Sequence, residues 1–189
     1  MSRLFSEFTG QFFWNFKRMD NVNYNFEILE VLYAAKRASN NDPRFNKPIT
    51  IIIMSIVECT LHDFISRINQ HSSDSFPNIT QTIIFYFRGF PETDELKFLI
   101  PRIQLKNLLR VPPTDSIYED LEHLREIRNR VHIQNKYSAE PADEYRVFTE
   151  TELVRAQQCL EKVYDALCNV YPRWQKQPIP ISDFPRPWL

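Results

Sequence analysis

The stretch TETELVRAQQCLEKVYDALCNV, residues 149–170, decides the fold class. Thr149 and Glu152 have the spacing of a capping box, which marks the start of a helix. The apolar residues that follow recur every three or four positions, as on one face of an amphipathic helix. They are Leu153, Ala156, Leu160, Val163, Leu167 and Val170. We therefore predict a final helix that ends near Pro172.

The segment SIYEDLEHLREIRNRVHIQ, residues 116–134, predicts a second helix of the same kind. Pro112 and Pro113 stop the preceding segment, and Ser116 and Glu119 again have capping-box spacing. One apolar stripe runs along this helix. It contains Ile117, Leu121, Leu124, Ile127 and Val131.

The rest of the chain favours more helices joined by loops rich in proline and asparagine. The segment from Ile83 to Phe87 is either a short buried strand or a helix, and we favour the helix. Pro101 is expected to kink or restart the helix around it. The further predicted helices are Leu4–Phe16, Tyr24–Ala38, Pro48–Asn69 and Asp94–Arg110.

We therefore expect an all-α, up-down helical bundle of five to six helices. Residues 1–171 form a single domain in this interpretation. Residues 172–189 form a tail rich in proline and aromatic residues, which we expect to pack on the bundle or on a partner.

Composition narrows the possible functions. The 189 residues carry a formal net charge of −1, so binding to a polyanion would need a local basic patch. Only two glycines occur, which excludes a Walker loop, a dinucleotide fingerprint and a Gly-x-Ser-x-Gly elbow. The N-terminal residues lack the layout of a secretory signal. The longest apolar run, Ile49–Val57, is far shorter than the roughly 20 residues that span a membrane. We expect a cytoplasmic protein without membrane association.

A cluster of cationic side chains lies on the helix of residues 116–134. Arg125, Arg128 and His132 are three and then four positions apart, so they share one face, with Asn129 beside them. Arg128 falls within the apolar stripe, where an unpaired charge is costly. It therefore needs an anion, a partner group or a second subunit, and Glu58 is a candidate partner within the chain.

These residue types suit cleavage of an RNA phosphodiester. Histidine titrates near neutral pH, so His132 can exchange a proton with a 2′-hydroxyl or with the departing 5′-oxygen. Arginine matches phosphate geometry and stabilises the charge that develops on it. Arg130 and Lys136 add positive charge nearby and are candidate RNA contacts together with Asn129. This chemistry requires no metal ion and no cofactor.

The segment LREIRNRVH, residues 124–132, followed by Phe148, Thr149 and the last helix, resembles the HEPN superfamily of small helical bundles. The resemblance is specific over residues 115–170 and looser over residues 48–70, where ECTLHDF at 58–64 is similar to an acidic helix beside the HEPN motif. It implies a metal-independent ribonuclease with one arginine and one histidine per motif. It also implies a homodimer in which two motifs face a shared cleft, often within toxin–antitoxin or antiviral systems.

Arg125 and Arg128 are both candidates for the one arginine that the resemblance places at the phosphate. Arg125 has six residues between it and His132 but is followed by Glu126. Arg128 is followed by Asn129, as in the family, but has only three residues before His132. Which arginine meets the phosphate stays open at this point. The alternative is an inactive HEPN-like module that dimerises or binds RNA, an antitoxin or another protein, with its arginines bridging to acids.

Overall fold

The structure is a computed structural model that describes residues 15–70, 79–88, 95–130, 144–171 and 186–189. Within these ranges it contains helices and no strand, so the predicted all-α helical bundle is confirmed. The segment around Ile83 is helical, as favoured. Among the described residues, six helices have eight or more residues. They are α1 (Phe16–Ala38), α2 (Asn46–Gln70), α3 (Gln81–Arg88), α4 (Leu96–Leu105), α5 (Ile117–Asn129) and α7 (Glu150–Val170). A 3₁₀ turn (Pro43–Phe45) precedes α2, and a four-residue helix α6 (Glu144–Val147) precedes α7.

Helix α2 forms the centre of the bundle and contacts α1, α3, α4, α5 and α7. Together with the 3₁₀ turn before it, Pro43–Gln70, this helix is by length and composition alone apolar enough to cross a membrane, with a mean hydropathy of 1.6 in its most apolar window. However, 67% of that window is buried inside the protein. A helix that is apolar on most sides and covered by its neighbours is the pattern of a core helix.

Helix α7 packs along α2 with the predicted stripe. Leu153, Ala156, Leu160, Val163 and Leu167 are buried, whereas Val170 is only half-buried. Cys159 and Tyr164 are buried as well and widen the apolar face. Thr149 accepts a hydrogen bond from the Glu152 backbone N–H (3.3 Å), which confirms it as the cap.

Helix α1 begins eight residues before the predicted Tyr24, because Asn15 caps it. The Asn15 side chain accepts a hydrogen bond from the Arg18 backbone N–H (3.1 Å), and the Asn15 backbone N–H donates to Asp63 on α2 (3.1 Å). Residues 4–14 of the predicted helix Leu4–Phe16 lie outside the described residues. The end of α1 at Ala38 is as predicted.

Helix α4 differs from its prediction at both ends. It begins at Leu96, includes Pro101 without a restart and ends at Leu105 rather than Arg110. The early end follows from Asn107, whose side chain accepts from the Val111 N–H (3.2 Å) and donates to the Val111 carbonyl (2.8 Å). An asparagine that bonds both backbone groups of a nearby residue stabilises a loop in place of a further helical turn.

The predicted capping box at Ser116 is wrong. The Ser116 backbone has a ψ of 7°, which is a turn conformation rather than the extended one of a typical N-cap. Its hydroxyl instead donates to Asp120 (2.7 Å), and Asp115 accepts the Ile117 N–H (2.9 Å). The helix starts where predicted, with Asp115 as its capping acid.

The last four residues contact the bundle. The Trp188 indole N–H donates to Glu161 on α7 (3.1 Å), and its ring lies 6.0 Å from that of Tyr33 on α1. Arg37 donates to the Pro187 carbonyl (3.0 Å). Residues 172–185 of the predicted tail lie outside the described residues.

Candidate functional site

Four of the predicted site residues line one cleft of about 120 Å³. Glu58 reaches it from α2, and Arg125, Arg128 and Asn129 reach it from α5. The first turn of α4 forms the remaining wall, with Glu95, Leu96 and Lys97. His132 and Lys136 lie outside the described residues. The predicted extension of this helix to Gln134 is wrong, because α5 ends at Asn129 and Arg130 forms its C-cap in a turn conformation.

Arg128 is held by Glu58, the partner that the sequence suggested. Its Nη2 lies 2.7 Å from Oε2 of Glu58, and its Nη1 donates to Oε1 at 3.3 Å. The Arg128 side chain is 30% exposed and that of Glu58 is 19% exposed, so the pair lies at the rim of the core. Arg128 lies on the predicted stripe and meets Glu58 of α2, but its guanidinium group lies at the edge of the core and not inside it.

The geometry of this pair leaves donors for a ligand. A guanidinium group has five N–H donors, and the end-on contact with Glu58 uses one on each terminal nitrogen. The Nε–H and one further N–H on each terminal nitrogen of Arg128 take no part in this contact. A phosphate at the cleft can therefore bind Arg128 while Glu58 stays in place.

Arg125 is held by acids of its own helix. Its Nε and Nη2 donate to the two carboxylate oxygens of Glu122 at 2.9 and 2.6 Å, and Glu126 lies 3.6 Å away. The hydrogen bonds that Arg125 donates to Glu122 raise the pKa of Arg125, so this guanidinium is charged at any physiological pH. Its side chain is 17% exposed, less than that of Arg128.

The cleft contains paired charges rather than an excess of positive charge. Arg125 pairs with Glu122, Arg128 with Glu58, and Lys97 with Glu95 at 3.0 Å. Sequence reasoning expected a basic patch because it counted charges close in sequence. Glu58 on α2 balances Arg128 only after folding, whereas Glu122, three positions from Arg125 on the same helix, was left out of that count.

Arg130 lies at a different cleft, of about 430 Å³, between α5 and the start of α7. His123 and Glu152 line the same cleft and are joined by a 3.0 Å contact between Nε2 and Oε2. The structure therefore does not bring Arg130 together with Arg125 and Arg128. A third cleft, of about 300 Å³, lies between α1 and α2 and is lined by Glu58, Cys59 and His62 among others.

Sequence reasoning missed Lys97 and its neighbour Phe98. Their helix, α4, packs against α5, which brings Lys97 into the cleft with Arg125 and Arg128. The spacing of residues does not predict this contact between α4 and α5, because Lys97 and Arg125 are nearly 30 positions apart in the sequence. By contrast, the pairing of Glu122 with Arg125 could have been predicted, because residues three positions apart on a helix are neighbours.

Cysteine and metal chemistry receive no geometric support in the described part of the chain. Burial raises the pKa of the Cys59 thiol to about 11 and that of Cys159 to about 12, so both thiols are protonated near neutral pH. The described side chains include no group of three or more His, Cys, Asp or Glu arranged to hold a metal ion.

Fold and site together define an all-α helical bundle with a small cleft of paired charges between α2, α4 and α5. No family model, no curated protein and no solved structure matches the chain.

Proposed function

We propose that this chain is a cytoplasmic, metal-independent endoribonuclease of HEPN type that acts as a homodimer. The observation that carries the proposal is the convergence of Arg125, Arg128 and Asn129 on one cleft beside Glu58. These are the residues to which the motif assigned phosphate contact and support. Their meeting in one cleft makes a phosphate site chemically reasonable.

Arg128 is the better candidate for the phosphate contact. Its side chain is more exposed than that of Arg125, and the residue after it, Asn129, lines the same cleft. Glu58 holds the guanidinium from a separate helix, which fixes its orientation and reduces the entropy lost on binding. Arg125 is the supporting cation in this assignment.

The reaction in this proposal is an internal transfer at phosphorus. The His132 imidazole, placed by sequence alone, takes the proton of the 2′-hydroxyl or delivers one to the leaving 5′-oxygen, and water carries the other of these two protons. The 2′-oxygen bonds to phosphorus as the bond to the 5′-oxygen breaks, which leaves a 2′,3′-cyclic phosphate and a 5′-hydroxyl. Arg128 stabilises the negative charge on the phosphoryl oxygens during the transfer.

The experiment is cleavage of single-stranded RNA at neutral pH in excess EDTA. If the imidazole transfers the proton, His132→Ala lowers the rate by roughly 10²- to 10⁴-fold. His123→Ala is the matched control, because that histidine lies on α5 but lines the other cleft. Full activity of His132→Ala, or an absolute requirement for divalent metal, would exclude this mechanism.

The second candidate function is a non-enzymatic module that dimerises or binds RNA, an antitoxin or another effector protein. The observation that favours it is that acids within the chain already hold both arginines. In this case the parent protein cuts no RNA, and Arg128→Ala weakens assembly. Light scattering separates the two functions, because an intact dimer with lost cleavage fits only the enzyme.

A further inference from the structure

Phe98 is an exposed aromatic residue that follows Lys97, one of the residues lining the candidate cleft. Its side chain is 43% exposed, although Leu96, Leu99 and Ile100 around it are buried. Helix α4 packs its buried side against α5, which leaves Phe98 on the outer side. One exposed phenylalanine is ordinary in a folded protein. The groups next to Phe98 distinguish it from other exposed phenylalanines.

Lys97 joins Phe98 to the cleft. Its Nζ lies 4.6 Å from the centre of the Phe98 ring, and Lys97 itself lines the cleft with Arg125 and Arg128. An aromatic ring therefore lies directly beside an ammonium group that borders a candidate phosphate site. Cationic groups that follow the backbone, combined with aromatic rings on which bases stack, are how proteins bind single-stranded nucleic acid.

The cleft is large enough for a phosphate group but too small to hold the attached base as well. A volume of about 120 Å³ is well below the roughly 300–1,000 Å³ of pockets that enclose small organic ligands. The cleft has room for a phosphate group, whereas the attached base must lie outside it. Phe98, one residue beyond Lys97, offers an apolar surface at that edge.

We propose that Phe98 is a stacking platform for one base of the RNA substrate and that Lys97 contacts the adjoining backbone. The inference builds on the proposed function and specifies its substrate class as single-stranded RNA. A base that is stacked and paired within a duplex is not free to stack on a side chain, so duplex RNA lacks this contact.

The test measures RNA binding in the full chain carrying His132→Ala, so that bound RNA is not cut. Fluorescence anisotropy with a labelled single strand and with a duplex of equal length, in EDTA, gives the two affinities. Phe98→Ala weakens single-strand binding by about 5- to 150-fold, the usual range for one stacked base, and leaves duplex binding unchanged. Phe98→Tyr retains the affinity because it keeps a ring.

Phe85→Ala is the matched control. Phe85 is 68% exposed on α3, a helix that contributes no residue to the candidate cleft, whereas α4 contributes Leu96 and Lys97. Its removal is expected to leave single-strand affinity unchanged. If Phe98→Ala binds the single strand like its parent, or weakens both RNAs equally, the stacking platform is refuted. A change confined to the molecular mass in solution assigns Phe98 to a protein contact and refutes it as well.

The outcomes distinguish this inference from the proposed function. If the native chain cuts RNA while Phe98→Ala has no effect on binding, only the stacking platform fails. If single-strand binding depends on Phe98 while the native chain cuts nothing, only the ribonuclease fails. An absence of RNA binding overturns both.

Discussion

The contact between Glu58 and Arg128 gives the sharpest prediction about stability, because it joins two helices through residues 70 positions apart. We expect Glu58→Gln and Arg128→Gln each to lower the free energy of unfolding by about 1–2 kcal/mol. The double variant is expected to lose less than the sum of the two. The difference is the coupling energy of the pair.

The magnitude follows from exposure and geometry. Fully exposed ion pairs contribute about 0.2–1 kcal/mol, whereas breaking a buried pair costs about 3–5 kcal/mol. This pair lies between the two limits, with two N···O contacts of 2.7 and 3.3 Å and side chains 19% and 30% exposed. A coupling energy of about 1 kcal/mol is therefore expected.

Urea denaturation of the parent, the two single variants and the double variant, followed by far-UV circular dichroism, measures this coupling. Asp42 and Arg44 provide a comparison pair on the surface turn before α2, with Arg44 almost fully exposed, and a smaller coupling is expected there. A coupling between Glu58 and Arg128 below about 0.3 kcal/mol, which is the usual scatter for independent sites, would refute the pair in solution.

Three further predictions concern other parts of the molecule. Burial raises the pKa of Cys59 from 9.0 to about 11, so its thiolate fraction at pH 8 falls about 100-fold. Iodoacetamide should therefore modify Cys59 about 100-fold more slowly than a free cysteine. Labelling at the rate of a free cysteine, measured by mass spectrometry, would contradict this. The hydrogen bond from Lys162 lowers the pKa of Asp115, so this carboxylate stabilises the fold above its unfolded pKa and loses that effect as the pH falls through its folded pKa. Asp115→Asn should accordingly reduce the difference in unfolding free energy between pH 7 and pH 3, and urea titrations that give an unchanged difference would exclude the linkage. Trp188→Ala removes the contacts with Tyr33 and Glu161 and should lower the unfolding free energy by about 1–2 kcal/mol, seen as a lower melting temperature; an unaltered thermal transition would show that these contacts do not stabilise the bundle.

Much of the fold follows from local patterns. The stripe from Leu153 to Leu167 predicts α7 because packing on a neighbouring helix needs apolar residues at helical spacing. The start of α1 was missed although Met19, Val22 and Phe26 have helical spacing, because most of the residues around them are polar. The end of α4 was missed because it depends on where the Asn107 side chain finds its partners.

The candidate site was predictable along α5 and, on α2, at Glu58. The spacing of Arg125, Arg128 and Asn129 is enough to place them together, since helix geometry is regular. The charge of the cleft was predictable only in part, because Glu58 was expected as the partner of Arg128 but Glu95 and Lys97 come from a segment that no spacing relates to the motif. Apolar periodicity predicts which face of a helix a residue occupies, whereas the packing of the helices determines which side chains that face contacts.

The central position of α2 has a consequence for synthesis on the ribosome. Helix α2 ends at Gln70, and its main packing partner α7 ends at Val170, so 100 further residues must be made before both are complete. At about 5–20 residues per second, this takes roughly 5–20 s. During that interval the apolar side of α2 lacks its final cover, so the nascent chain is most prone to aggregation or chaperone capture before its last helix emerges.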